Sequence, residues 1–136
     1  MSYAIGAALQ SAVFAAVSGD LVVQGLVGTD VFDALPAGSL PLTYVVIGEE
    51  DVQAKSDVSA NGAVHRFTVS VFSDVAGFLG AKAVAVAVSD VLVDADLTLA
   101  RGRLVSLGFV KARARRGSSL AVRRIDLQFR ARVEDI

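Results

Sequence analysis

Apolar residues recur at Ile5, Ala8, Leu9, Ala12, Val13, Ala16 and Val17. This i, i+3, i+4 spacing predicts an amphipathic helix over about residues 3–17. It stops near Ser18-Gly19-Asp20, where Asp20 can cap a short second turn through Leu26 with Gly28 as its stop. A brief extended piece is expected at Val31-Phe32-Asp33. The segment Leu35 to Leu42 holds both prolines, Pro36 and Pro41, around Gly38, and reads as a loop because proline cannot donate to a ladder. Thr43-Tyr44-Val45-Val46-Ile47 is β-branched and aromatic, the composition of a buried strand.

Glu49 to Gly62 (EEDVQAKSDVSANG) is polar and without period, and is expected to be a long exposed loop or a hairpin tip. From Ala63 to Ser73 the pattern alternates. His65, Phe67, Val69 and Val71 share one face, and Arg66, Thr68 and Ser70 the other. Ser73-Asp74 offers a cap for a second long helix. That helix carries Val75, Phe78, Leu79, Val84, Val88, Val91 and Leu92 at helical spacing, and Asp94 and Asp96 close it. Period two returns in Arg103–Arg116 and Leu120–Val133, joined by Gly117-Ser118-Ser119 as a hairpin. In the last strand Ile125, Leu127, Phe129, Ala131 and Val133 face one way, and Arg124, Asp126, Gln128, Arg130 and Arg132 the other. The economical packing is an α+β fold: a mostly antiparallel sheet of about four strands, two long helices on one face, and a C-terminal β-hairpin. At 136 residues the chain is expected to form one domain over 1–136.

Charge changes this picture. The net value is −1, but residues 101–132 hold ten of the thirteen basic side chains and one acid, Asp126. That stretch carries +9 and the remainder −10. Complementary patches on one molecule favour head-to-tail contact between copies, which closes into a ring or runs on as a filament. A hairpin with a solvated basic face is the plainer reading of the same charges. Residues 1–19 are uncharged, but they lack a basic n-region, and polar and glycine residues break the apolar run. A soluble, cytoplasmic protein with no membrane contact is expected.

The chain has no Cys and one His, so thiolate chemistry is excluded and a zinc site would need carboxylates around His65. His65 stands mid-strand among apolar residues and reads as a satisfied structural histidine. Glu49-Glu50-Asp51 invites a hard-cation reading, but adjacent residues on one loop rarely converge their oxygens. Gly77–Lys82 lacks the spacing of a phosphate-binding loop, and no nucleophile–base motif is present. No catalytic, cofactor or metal residues are expected. Arg113, Arg115, Arg116, Arg123 and Arg124 surround the hairpin tip and would attract phosphate. The tip has no aromatic residue to stack on bases, so any DNA contact would ignore sequence. Subunit contact is favoured over DNA contact, because the acids elsewhere give the arginines partners.

Taken in order, Val31-Phe32-Asp33-Ala34-Leu35-Pro36, Tyr44-Val45-Val46-Ile47-Gly48-Glu49, His65-Arg66-Phe67-Thr68-Val69-Ser70-Val71 and Arg123-Arg124-Ile125-Asp126-Leu127-Gln128-Phe129-Arg130 resemble the tail terminator, or tail completion, proteins of long-tailed phages. The version in bacterial gene transfer agents is the most similar. The resemblance spans essentially the whole chain. It implies a non-enzymatic subunit without cofactor, forming a hexameric ring on the last ring of the tail tube. That ring would stop tube polymerisation, bind the tail tube protein and the neck or head-completion protein, and pass DNA through its hole without sequence-specific contact. Assembly would take place in the bacterial cytoplasm, and the finished location would be the tail–neck junction of the particle. Glu49, Glu50, Asp51 and Lys55 of the polar segment, with Arg113, Arg115, Arg116, Arg123 and Arg124, are the expected subunit or axial contacts. Charge reversal at Arg123 and Arg124 should then weaken ring closure. Two other readings remain: another neck or tail ring, including the tube subunit, and a sequence-independent DNA-binding module built on the hairpin.

Overall fold

The computed structural model describes residues 3–54, 62–116 and 122–135. Helix α1 (Gly6–Gly19) buries Gly6, Leu9, Val13 and Val17, the stripe that the apolar spacing required. Helix α2 (Leu21–Val27) is set off by Asp20, whose carboxylate accepts the Val22 and Val23 N–H groups at 3.1 and 3.0 Å. It ends at Gly28, at φ 62°. The two helices meet at 71°, and no single helix is long and apolar enough to cross a membrane.

The sheet has five strands rather than about four, and is mixed rather than wholly antiparallel. The addition is β1 (Val31–Phe32), which pairs in parallel with β2 (Thr43–Ala54), Val31 opposite Val45 and Phe32 opposite Val46. A parallel neighbour needs a return connection, and the proline-bearing segment 33–42 supplies it. Strand β3 (Gly62–Ser73) is antiparallel to β2 and to β5 (Arg123–Glu134), and β5 is antiparallel to β4 (Arg103–Arg116). The order across the sheet is β1-β2-β3-β5-β4.

The expected loop at Glu49–Gly62 is half strand. β2 runs on through Ala54, so only residues 55–61, Lys55 among them, lie between the two arms and outside the described residues. The misreading has a physical cause. Glu49 sits at φ 36°, and the register shifts between Gly48 and Glu50. One extra residue bulges out and resets the alternation. Ile47 and Glu50 therefore point to the same side, and the sequence looks aperiodic where the backbone is still extended.

Helix α3 (Leu79–Leu92) begins later than Ser73-Asp74 would have it. Ser73 ends β3, and its Oγ accepts the Val75 N–H at 3.2 Å. A turn through Gly77, at φ 79°, delays the helix. At its other end the chain reverses at Asp94, at φ 57°, whose N–H donates to the Leu107 carbonyl at 2.9 Å. The hairpin turn expected at Gly117-Ser118-Ser119 lies outside the described residues.

All three helices pack on one face of the sheet. Val45, Ile47, Phe67, Val69, Val71, Ile125, Leu127, Phe129, Ala131 and Val133 meet the buried stripes of α1, α2 and α3 in one core. Phe129 is fully buried, stacked on Phe67 at 5.6 Å and edge-on to Phe109 at 6.0 Å. Helix α3 presents Ala81, Ala85 and Ala87 among its buried residues, and such small side chains let it lie close to the strands.

Candidate subunit and axial contact face

The face of the sheet away from the helices is built by the alternate residues of the same strands. Phe32, Tyr44 and Phe72 form an aromatic row across β1, β2 and β3, with ring centroids 6.2 and 5.1 Å apart. The Arg124 guanidinium of β5 continues the row, 5.0 Å above the Phe72 ring. Arg115 of β4 stands opposite Arg124 in register, as Arg113 stands opposite Asp126 and Lys111 opposite Gln128.

Asp126 organises the basic end of this face. Its carboxylate accepts from Ser70 Oγ at 2.6 Å, Arg124 Nε at 2.8 Å and Arg115 Nη2 at 3.1 Å. Burial alone would push its carboxyl up, but these donors more than offset that and hold it below the usual carboxylate range. One acid thus fixes two arginines. Among the described residues no carboxylate pairs with Lys111 or Arg113. Glu49 of the bulge, Lys111, Arg113, Arg115 and Arg124 line one open cleft with Asp126.

The expected contact residues therefore separate. Glu49, Arg113, Arg115 and Arg124 come together on the outer face. Asp51 is in register with Arg66 farther along it. Arg123 turns to the helix side, its guanidinium 5.9 Å from the centroid of the Phe78 ring, and Arg116 pairs with it in register. The hairpin tip is thus not bare of aromatics: Phe72 and Phe78 arrive from β3 and the start of α3, each already faced by an arginine.

Glu50 leaves the group altogether. The bulge turns its carboxylate toward the helices, and its side chain is only 19% exposed although its backbone lies open. There it accepts the Tyr3 hydroxyl and lies 3.3 Å from His65 Nδ1. His65 is fully buried, with Tyr3 stacked 6.2 Å away. Its Nε2 has no hydrogen-bond partner among the described residues, so this histidine is only half satisfied and its neighbours are not all apolar. Sequence reading missed this Tyr3–Glu50–His65 group, because only the bulge brings Glu50 inward.

The described residues hold no cluster of three metal-ligating side chains, and the charged groups gather on an open sheet face. The family description "Tail completion protein gp17" matches residues 11–134, and the chain belongs to that family of structural tail proteins. A chain in the solved virion of a native gene transfer agent particle is 57% identical, with a TM-score of 0.93, covering 98% of this chain and 99% of that one. No curated protein sequence matches.

Proposed function

We propose that the chain forms a ring that caps the tail tube of a phage or gene transfer agent, stops tube polymerisation and joins the tail to the neck. The likeness at 57% identity over nearly the whole chain to a component of a gene transfer agent particle carries this reading. In it, the subunit assembles with copies of itself in the cytoplasm, seats on the tail tube protein, and presents its other side to a neck or head-completion protein. DNA passes through the ring, and the protein performs no catalysis. The distribution of charge supports a ring. Residues 1–54, which build α1, α2, β1 and β2, contain six acids and no Lys or Arg, whereas β4 and β5 carry most of the bases. Each subunit thus has an acidic and a basic side along the strand order, as head-to-tail neighbours need.

The test is electron microscopy of particles from a producer lacking the gene. The expected result is overlong tails, or filled heads separate from tails. Joined particles with tails of normal length would refute the proposal.

A further inference from the structure

Helix α3 does not cover the whole of its side of the sheet. It lies over β3 and β5, and the outer half of β4 projects past it. This leaves an apolar groove between α3 and the sheet edge, floored by Phe109, Ala112, Ala114 and Leu127 and walled by Val86. Val86 is 59% exposed and Phe109 47%. One end of the groove is basic: Lys82 lines it, and Arg116 and Arg123 stand there on the same face. The other end is acidic, with Asp90 a turn beyond Val86 and Asp94 bonded through its N–H to the Leu107 carbonyl; Asp74 follows Ser73, the register partner of Arg123.

A second apolar patch lies across the molecule. Leu21, Val22 and Leu26 of α2 are 81%, 62% and 45% exposed. Helix α2 packs on β2 and on α3, so α3 separates it from β4. Asp20 stands at the start of this patch as the cap of α2, within a stretch that has no base. The chain therefore carries an apolar knob with Asp20 at its start on one side, and on the other an apolar groove with one basic end.

We infer that α2 of one copy seats Leu21, Val22 and Leu26 in the α3–β4 groove of the next copy. The occupant follows from chemistry: the groove wants apolar side chains with an acid at its basic end, and α2 offers Leu21, Val22 and Leu26 with Asp20 beside them. The patches are different surfaces, so the contact is heterologous and repeats from copy to copy. The inference rests on the ring reading above and adds the surfaces that close the ring.

The chain has no Cys, so introduced thiols report cleanly. Leu21→Cys and Ala112→Cys, both at exposed positions, are combined in one chain and treated with a short bis-maleimide, in the purified protein and in assembled particles. The expected product is a ladder of multimers on a denaturing gel. Each single variant alone should give no dimer, and a mixture of the two should give dimers and nothing larger. Dimers from Leu21→Cys alone, or Ala112→Cys joined to a different polypeptide, would overturn the inference. So would the absence of a ladder in particles whose electron micrographs show the ring, and that outcome would leave the ring reading intact. Particles that need no such protein to end their tails would bring down both. Leu21→Glu and Val86→Glu, checked for native circular dichroism, should each weaken self-association by about tenfold or more. Self-association unchanged in both would also overturn the inference.

Discussion

Asp126→Asn tests whether one carboxylate organises the outer face. The substitution keeps the size of the side chain and removes its charge. Three donors are affected: Ser70 Oγ at 2.6 Å, Arg124 Nε at 2.8 Å and Arg115 Nη2 at 3.1 Å. A bond to a charged group is worth about 1.5–3 kcal/mol when buried, and an exposed ion pair only about 0–1 kcal/mol. Ser70 is 6% exposed and keeps most of its contribution. The side chains of Arg124 and Arg115 are 27% and 42% exposed, and their contributions are discounted to the surface range. Asparagine retains one weaker acceptor, so the net loss is about 2 kcal/mol. For 136 residues, at roughly 2.1 cal/mol/K per residue, this lowers Tm by about 7 °C.

The pH dependence makes the test specific. The folded carboxyl titrates below its unfolded value. Its contribution is therefore fully present above the unfolded carboxylate range and is lost as pH falls through the folded pKa. Urea unfolding at one fixed protein concentration, at pH 7 and again near pH 3, should show a gap between wild type and variant that narrows in acid. A gap below about 0.5 kcal/mol at pH 7, or one that stays constant into acid, would refute the assignment.

Gly102→Ala should cost about 2–4 kcal/mol by thermal or urea unfolding, since an added Cβ would lie 2.4 Å from the Glu134 carbonyl oxygen and 2.5 Å from Ile5 Cδ1, at φ 70°. Glu50→Ala should cost about 2 kcal/mol, because it leaves Tyr3 and His65 without their acceptor; the loss is read by urea unfolding. Arg113→Gln should leave monomer stability within about 0.5 kcal/mol yet weaken self-association in sedimentation. Arg124→Glu should lower both, because Arg124 also holds Asp126.

The legible parts of the fold were those where one rule acted alone. β5 has the clearest alternation in the chain because it lies between two strands under a helical layer, so every second residue is buried. The Asp20 cap and the Gly28 stop were readable because each is a local backbone requirement. Three features were not. The bulge at Glu49 breaks period two without breaking the strand. The extended piece at Val31-Phe32 was expected, but its joining the sheet depends on β2 lying beside it, which two residues cannot show. The start of α3 is moved by Gly77, although Ser73-Asp74 is a sound capping sequence. For the contact face, the charge split was visible in the sequence. Which arginines share a side was not, because that depends on the β4–β5 register, with its shifts between Leu104 and Ser106 and between Phe109 and Lys111.

The open edge of β4 has a consequence for how the protein survives before it is used. A long unpaired strand edge is a template for cross-strand stacking with any other extended chain, including its own copies in a crowded cell. Here the edge strand carries Lys111, Arg113, Arg115 and Arg116 along its outer half. A second β4 laid against it would oppose cation to cation at close range, which is destabilising. The same arginines that suit the chain for an acidic partner therefore act as gatekeepers against fibrous aggregation during the interval between synthesis and incorporation.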